Sequence, residues 1–239
     1  MIWVIPLAGK GQRTKELGEF KPFIEINGHK MIEWFISSIK NLIKSKDKFI
    51  FITTDYLATK YGFEQEIKII FRKHGVQNKS IFTYCPETPK GTSATILLTK
   101  NQINNDTPVM IINPDQYVDF DIPEITPKSG FLGIYCHLGN KSGFVRINKG
   151  QVIDFVEKNN ISNLASAGIY IASSGKELIS AIESQIKDGK TLNEEFYIGP
   201  AFNYLVKKGF KILPFAVRAK YDLGNPEDIR YFSTKPFNC

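Results

Sequence analysis

Cysteines, histidines and long apolar runs are all scarce in this sequence of 239 residues. Its three cysteines stand far apart from one another, as do its three histidines, and neither set shows the short spacings that mark metal-binding motifs. The cysteines are therefore expected to be free thiols, buried or terminal, in a protein of a reducing compartment. They are Cys85, Cys136 and Cys239.

The sequence also lacks any run of about 18 apolar residues, so no membrane span is expected. Its first residues form one short apolar stretch without the basic start of a signal peptide. Together with the expectation of free thiols, these absences predict a cytoplasmic protein.

Positive charge is in surplus, because the formal net charge at pH 7 is +7. The lysines are nevertheless scattered, with no block of five or six and no interleaved aromatic residues that could stack on bases. We therefore expect no nucleic-acid partner. Such a surplus suits a polyanionic small substrate or a plain solvated surface.

The first half of the chain alternates between buried strands and amphipathic helices. Strands are predicted at residues 2–7, 49–53, 81–84 and 108–112, and helices at residues 31–43, 63–75 and 92–100. This order predicts an α/β fold with a doubly wound, mainly parallel, Rossmann-like sheet and helices on both faces. Ligands of such sheets bind at the carboxyl ends of the strands. The loops after the first and fourth strands are therefore the expected place for chemistry.

The second half changes in character, with short strands separated by glycine and asparagine turns. No linker, repeat or low-complexity segment divides the chain, so residues 1–239 are predicted to form a single domain. Residues 1 to about 125 would form a nucleotide-binding half, and the rest a smaller, mixed-sheet, acceptor-binding half. Strands are predicted at residues 131–136, 143–147, 152–156, 168–171 and 211–215, and helices around 178–186, 200–207 and after 226.

The loop after the first strand has the pattern Gly9-x-Gly11-x-Arg13. Glycines there let backbone N–H groups approach a phosphate, and the Arg13 guanidinium can pair with its oxygens. By itself the pattern fits a plain glycine turn equally well. Lys21 adds a second cation, because Pro22 biases the backbone of Lys21 toward an extended conformation that could aim its ammonium back over the loop.

From this loop onwards the sequence resembles the sugar-phosphate nucleotidyltransferases, or nucleoside-diphosphate-sugar pyrophosphorylases, as a short and divergent member. Motifs similar to those of the family follow in the family's order over nearly the whole chain. They read Leu7-Ala8-Gly9-Lys10-Gly11-Gln12-Arg13, Lys21-Pro22-Phe23-Ile24, Gly28-His29-Lys30-Met31-Ile32, Pro89-Lys90-Gly91-Thr92-Ser93-Ala94, Asn113-Pro114-Asp115, Gly143-Phe144-Val145, Phe155-Val156-Glu157-Lys158, Ser166-Ala167-Gly168-Ile169-Tyr170 and Asp222-Leu223-Gly224-Asn225-Pro226-Glu227-Asp228.

The resemblance implies an enzyme that transfers a nucleoside monophosphate from an NTP to a phosphorylated small molecule, with Mg²⁺ as cofactor and pyrophosphate as product. A sugar 1-phosphate is the expected acceptor, and precursor synthesis for surface polysaccharide the expected role. The resemblance also implies catalysis by Arg13 and Lys21 and Mg²⁺ binding by Asp115 and Asp222. The implied nucleotide-binding residues are Leu7, Ala8, Gly9, Lys10, Gly11, Arg13, Lys21, Gly91 and Thr92, and the acceptor-binding residues are Gly143, Glu157, Lys158, Ala167 and Gly168.

Several positions depart from the family's pattern, which leaves the base and the acceptor open. Lys10 and Gln12 replace a glycine and a threonine or serine of the phosphate loop, and Ser166 replaces an asparagine. Asn113-Pro114 is an unusual lead into Asp115. The oligomeric state is open as well.

Three other functions are consistent with parts of the pattern. A cytidylyltransferase of a non-sugar phospho-compound would use the same motifs. A nucleotide-sugar glycosyltransferase would need an acidic metal motif after a strand, which Asp115 or Asp119-Phe120-Asp121 could supply. A non-catalytic nucleotide-binding subunit is disfavoured, because Lys21, Asp115 and Asp222 are all retained.

Overall fold

The computed structural model describes residues 1–137, 139 and 142–239. Its strands in chain order are β1 (Ile2–Pro6), β2 (Glu25–Ile26), β3 (His29–Lys30), β4 (Lys48–Thr54), β5 (Lys79–Cys85), β6 (Val109–Ile112), β7 (Gln116–Asp119), β8 (Ser129–Cys136), β9 (Gly143–Asn148), β10 (Gln151–Glu157), β11 (Leu164–Ala172), β12 (Lys211–Ala216) and β13 (Ala219–Asp222). Its helices are α1 (Met31–Ile39), α2 (Asp55–Lys60), α3 (Phe63–Lys73), α4 (Thr92–Leu97), α5 (Lys100–Ile103), α6 (Gly175–Lys187), α7 (Ile198–Lys207) and α8 (Pro226–Ser233).

Strand β1 lies inside the main sheet, with β4 and β6 parallel to it on either side. Strand β5 continues the parallel order beyond β4. From Ile2 to Ile5 the side chains are at most 6% exposed, because helices cover both faces of the strand. A strand that is buried on both faces has a continuous run of apolar residues, as β1 does. The predicted parallel core is confirmed.

Strands of the second half extend the same sheet. Strand β11 pairs antiparallel with β6, β8 and β9, and β12 pairs parallel with β8. Among the described residues, nine strands share this sheet, with the order β10-β9-β11-β6-β1-β4-β5 and with β8 and β12 joined through β11. The sheet is therefore parallel at one end and mixed at the other.

Two apolar layers enclose the sheet, one on each face. Trp3 and Ile5 point into a layer built largely from α1 and α3. Ile2 and Val4 point into the opposite layer, where α4, α6 and α7 pack. Because side chains alternate along a strand, the four apolar residues of β1 contribute two to each layer. The predicted α/β architecture with helices on both faces is confirmed.

Several predicted boundaries differ from those observed. The helix predicted at residues 92–100 is two short helices, α4 and α5, because the Thr99 hydroxyl and N–H both turn back to the carbonyl of Ile96. Helix α1 ends at Ile39 and continues as a 3₁₀ turn to Leu42. Cys136 is exposed, although the cysteines were expected to be buried or terminal. None of the helices in the described ranges has the length and apolar character required to cross a membrane.

Candidate active site

The predicted phosphate loop follows β1 directly. The side chains of Leu7 and Ala8 are buried, so these two residues can offer a ligand only backbone groups. Gly11 has the left-handed φ of +59°, and its carbonyl accepts hydrogen bonds from the Thr14 N–H and hydroxyl at 3.0 and 3.2 Å. This closes a 3₁₀ turn over Gln12–Thr14 and leaves Gly9, Lys10 and Arg13 facing solvent, where an anion could approach.

Lys21 lies against this loop. A Cβ atom added to Gly11 would lie 3.3 Å from the Lys21 Cβ, and the Lys21 ammonium forms an ion pair with the carboxylate of Asp115. The extended conformation expected for Lys21 is wrong, because Lys21 opens a 3₁₀ turn over Lys21–Phe23. Proline is well tolerated in the first turn of a helix, so Pro22 fits this turn. The extended residue is Phe20, one position earlier.

A small antiparallel ribbon of β7 and β13 brings the two predicted metal ligands together. Asp222 pairs with Gln116, the residue after Asp115, and the N–H of Leu223 donates to the Asp115 carbonyl at 2.8 Å. The two aspartates are thus neighbours in space although they are far apart in the sequence. An apolar cluster packs next to this ribbon. Its buried members are Ile24, Ile26, Met31, Trp34, Leu223, Ile229 and Phe232.

Three of the predicted site residues converge on Gly224. A Cβ atom at this glycine would lie 3.4 Å from Asp115 Oδ2, 3.7 Å from Arg13 Nη2 and 3.8 Å from Lys21 Nζ. Arg13 and Lys21 come from the connection between β1 and β2 and Asp115 from the one between β6 and β7, and a side chain at position 224 would occupy the space between them. Gly224 is therefore part of the site, a role that the sequence prediction did not assign to it.

The charges around Asp115 keep it ionised. Burial works against ionisation of this carboxyl group, but the charge and hydrogen bond of Lys21, with the charges of Lys220 and Arg13, hold its pKa below the ordinary value. Asp228 shows the opposite shift, because burial and the charge of Asp222 raise its pKa. Asp228 is thus a third carboxyl group close to Asp222, and the sequence analysis assigned it no role.

The predicted acceptor residues meet at the ends of β9 and β10. Gly143 pairs with Glu157, and a Cβ atom at Gly143 would lie 2.8 Å from Glu157 Oε2. Burial raises the pKa of Glu157 to about 7, against the opposing charge of Lys158. This carboxyl group is consequently poised between its neutral and ionised forms near neutral pH.

Lys158 is held in place by Tyr197, a residue to which the sequence analysis gave no role. The Lys158 ammonium donates a hydrogen bond to the Tyr197 hydroxyl and lies 4.6 Å from the centre of its ring. The Tyr197 carbonyl accepts hydrogen bonds from Gln185 Nε2 at 2.8 Å and from Ser93 Oγ at 3.1 Å. Burial and the neighbouring carboxylate of Glu195 raise the pKa of the Tyr197 hydroxyl, so the hydroxyl stays protonated beside the Lys158 ammonium.

The segment around Gly91 and Thr92 contacts the segment that carries Tyr197. Gly91 has a φ of +89°, and a Cβ atom there would lie 2.6 Å from the backbone nitrogen of Phe196. Ser93 N–H donates to the Phe196 carbonyl at 2.8 Å, and Phe196 N–H donates to the Lys90 carbonyl at 2.9 Å. The predicted nucleotide-binding segment around Gly91 is thus hydrogen-bonded directly to the segment that carries Tyr197, beside the predicted acceptor residue Lys158.

Ala167 and Gly168 lie within β11, opposite the end of β6. The Gly168 carbonyl accepts from the Asn113 N–H at 2.9 Å, and a Cβ atom at Gly168, whose φ is +70°, would lie 2.7 Å from Asn113 Nδ2. The hydroxyl of Ser166 is occupied internally, because it donates to Tyr170 and accepts from the Gly168 N–H. The unusual Asn113 therefore lies between the acceptor side and Asp115.

Comparisons with known proteins bear on the family and the fold. The family model described as Nucleotidyl transferase matches residues 4–235. No curated protein sequence matches the chain at a significant level.

Three solved structures share the fold. The nucleoside-diphosphate-sugar pyrophosphorylase from Vibrio cholerae RC9 superposes with a TM-score of 0.84 at 23% identity, over 98% of this chain and 100% of the other. A UDP-glucose pyrophosphorylase complexed with UDP-glucose gives 0.75 at 19% identity, over 97% and 96% of the two chains. The inositol-1-phosphate CTP transferase from T. maritima gives 0.72 at 13% identity, over 100% and 98%.

Proposed function

Because this chain belongs to the nucleotidyl transferase family, we propose that it transfers a nucleoside monophosphate from an NTP to a phosphorylated small molecule, releasing pyrophosphate. The observation that carries this proposal is the convergence of Arg13, Lys21 and Asp115 on the space beside Gly224. Two cations and an ionised carboxylate around one open position suit a polyphosphate that binds together with a divalent cation. The exposed glycine loop next to them offers backbone groups to the same anion.

The residues present fit a Mg²⁺ ion. Asp115 and Asp222 supply the hard carboxylate oxygens that Mg²⁺ prefers. Each is ion-paired with a lysine, Lys21 and Lys220 respectively, so cationic groups already lie where these carboxylates need positive charge. When bound, Mg²⁺ would neutralise charge on phosphate oxygens and favour the departure of pyrophosphate.

The proposed reaction forms one bond and breaks one. An acceptor phosphate oxygen attacks the α-phosphorus of the NTP, and the bond from that phosphorus to the bridging oxygen breaks as pyrophosphate leaves with the electron pair. The acceptor phosphate is already anionic near pH 7, so the reaction needs no general base. The main obstacle is repulsion between two anions, which Arg13, Lys21 and Lys158 would offset while aligning the attack.

We assign the acceptor class as a sugar 1-phosphate and the role as synthesis of surface polysaccharide precursors. Glu157 supports this acceptor, because a buried carboxyl group beside Lys158 can accept hydrogen bonds from sugar hydroxyls while the lysine binds the phosphate. One structural relative, the UDP-glucose pyrophosphorylase complexed with UDP-glucose, points the same way, whereas the inositol-1-phosphate CTP transferase corresponds to the non-sugar alternative. The division into a nucleotide half up to about residue 125 and an acceptor half is part of the same proposal.

The decisive experiment is an array of CTP, UTP, dTTP, GTP and ATP against sugar 1-phosphates and non-sugar phospho-compounds, monitored by pyrophosphate release with Mg²⁺. We expect release with one base and one acceptor class. Preference for a non-sugar acceptor would favour the alternative cytidylyltransferase, and transfer from nucleotide sugars without pyrophosphate release would favour a glycosyltransferase and refute the proposal.

A matched pair of variants tests the metal assignment. Asp115→Asn should lower turnover by roughly a hundredfold or more, because the carboxylate charge at the convergence point is lost. Asp121→Asn is the control, since Asp121 is an exposed aspartate paired with Arg218. Equal turnover of the two variants in the pyrophosphate assay would contradict the assignment.

A further inference from the structure

A second group of potential ligands lies outside the candidate active site. It consists of the side chains of His29, Glu33, His74 and Cys239, which come from β3, from α1, from the end of α3 and from the end of the chain. Their wide sequence separation is the reason that the sequence predicts isolated histidines and cysteines. The fold brings these three histidine and cysteine residues together although no spacing in the sequence indicates it.

The ligand atoms lie at distances that suit one small ion. His29 Nδ1 and His74 Nε2 are 3.3 and 3.5 Å from Glu33 Oε1, and Cys239 Sγ is 4.0 Å from His74 Nε2. The ligand atoms of His29, Glu33 and Cys239 all lie within 4.8 Å of one another. A tetrahedral ion with ligand bonds of about 2.0–2.3 Å separates its ligands by roughly 3.3–3.8 Å. His74 Nε2 falls outside this group of three, so the less buried side chains of His29 and Cys239 must move toward it before all four ligands can reach one ion.

The chemistry of the donors selects the kind of metal. Two imidazole nitrogens, one carboxylate oxygen and one thiol sulfur form a set that Zn²⁺ takes in proteins, whereas Mg²⁺ requires oxygen ligands. The side chains of Glu33 and His74 are only 9% and 3% exposed, so two ligands are fixed by packing.

The carboxylate of Glu33 is paired with a half-exposed lysine that another cation could replace. Its Oε1 atom is buried, and within the described ranges no donor meets it at hydrogen-bonding angles. The Lys73 ammonium approaches it to 2.5 Å as an ion pair and lies 3.3 Å from His29 Nδ1. Half of the Lys73 side chain is exposed, so the ammonium can turn into solvent when another cation takes its place.

We propose that His29, Glu33, His74 and Cys239 form a binding site for Zn²⁺, which exchanges with the Lys73 ammonium. Binding breaks the S–H bond of Cys239, releases the proton to solvent and forms a metal–thiolate bond, with no change of oxidation state. The ion would fasten the segment around Cys239 to α1 and α3, beside the apolar cluster that contains Trp34 and Phe232.

Cobalt is the probe, because Co²⁺ substitutes for Zn²⁺ and reports its ligands by its spectrum. We expect the reduced, chelator-treated full chain to bind one Co²⁺, with visible d–d bands and a near-ultraviolet thiolate-to-cobalt charge-transfer band. Zn²⁺ should displace the Co²⁺ stoichiometrically, and a large excess of Mg²⁺ should not. Absence of the charge-transfer band in the wild-type chain, or displacement by Mg²⁺, would overturn the proposal.

Variants assign the ligands. Cys239→Ser should lose the charge-transfer band, whereas Cys136→Ser should keep it, because Cys136 is an exposed thiol elsewhere. His29→Gln should weaken Zn²⁺ binding by roughly tenfold or more, the loss that removal of even an outer-shell partner can cause. Lys73→Met should bind Zn²⁺ more tightly, because the competing ammonium is gone. Circular dichroism verifies that each variant is folded, and a band retained by Cys239→Ser would refute the assignment.

Discussion

At the scale of single residues, Lys21 makes two contacts that support its proposed role in catalysis. Its Cβ atom lies against Gly11 of the phosphate loop, and its ammonium pairs with Asp115. An ammonium fixed in this way lies beside both the proposed phosphate and the proposed metal ligand. Its charge is therefore in position before the substrate arrives, which is the condition under which electrostatic stabilisation of a transition state is most effective.

Replacing Lys21 with alanine should lower kcat by roughly a hundred- to a thousandfold, because one preorganised charge at the reacting phosphates is lost. The measurement is pyrophosphate release at saturating NTP. Lys15→Ala is the control, since Lys15 is an exposed lysine two residues after Arg13. A Lys21→Ala variant that turns over like Lys15→Ala would show that Lys21 is not catalytic.

The raised pKa of Glu157 predicts how the free energy of unfolding changes with pH. Its pKa is raised from 4.5 to about 7 in the folded chain, so folding favours its protonated form. Its contribution to the free energy of unfolding is fully present below pH 4.5 and is lost as the pH rises through about 7. In the variant Glu157→Gln, which stays neutral, that loss should be absent.

Urea unfolding at several values between pH 5 and pH 8 measures this difference. The gap in free energy between the variant and the wild type should change with pH, and the exposed control Glu124→Gln should show no such change. A constant gap for Glu157→Gln would mean that the Glu157 carboxyl group is ionised throughout this range.

At the scale of elements, the start of α7 and the end of β10 act together. Tyr197 precedes α7, and its hydroxyl and ring both contact the Lys158 ammonium at the end of β10. Its backbone is fixed by Ser93 and Gln185, from α4 and α6. Residues of three helices thus orient one lysine, and we expect Tyr197 to act as a positioning residue for Lys158.

In Tyr197→Phe the ring remains below Lys158 and only the hydroxyl is lost. We expect the KM for the phosphorylated acceptor to rise by roughly tenfold or more with little change in kcat or in the KM for NTP, since a hydrogen bond to a charged group contributes about 1.5–3 kcal/mol and about 1.4 kcal/mol is tenfold. Tyr204→Phe is the matched control, because its hydroxyl bonds to Asp188 on the surface. An equal rise in both KM values for Tyr197→Phe would indicate general damage rather than loss of acceptor positioning.

At the scale of the whole molecule, the continuous sheet couples the two proposed halves. The pairing of β6 with β11 crosses from one half to the other, so ligand binding at the carboxyl ends of the strands involves the same sheet as the core. A ligand that binds only the folded chain stabilises it by mass action.

Mg²⁺ with the correct NTP should therefore raise the midpoint of thermal unfolding in one transition, seen equally by circular dichroism and by tryptophan fluorescence. At an NTP concentration of about one hundred times Kd, the gain is about 2.7 kcal/mol. EDTA should remove most of that gain if the nucleotide binds as its Mg²⁺ complex. Two separate transitions would contradict the single domain. A gain in stability that EDTA leaves unchanged would contradict the metal requirement.

The sequence by itself determined the parallel core and the order of the site motifs. Buried strands such as β1 appear as apolar runs, and helices such as α3 as apolar residues on one face, because burial dictates residue type locally. The glycine of a phosphate loop and the lysine after it are likewise visible in a short stretch of sequence.

Only the tertiary structure decided how the site and the second cluster of ligands are assembled. Asp115 and Asp222 meet because β7 pairs with β13, two half-exposed strands of four residues with little apolar signal. Tyr197 meets Lys158, and Cys239 meets His74, through contacts between distant segments. Such pairings depend on how the layers pack around the sheet, and no local run of residues encodes them.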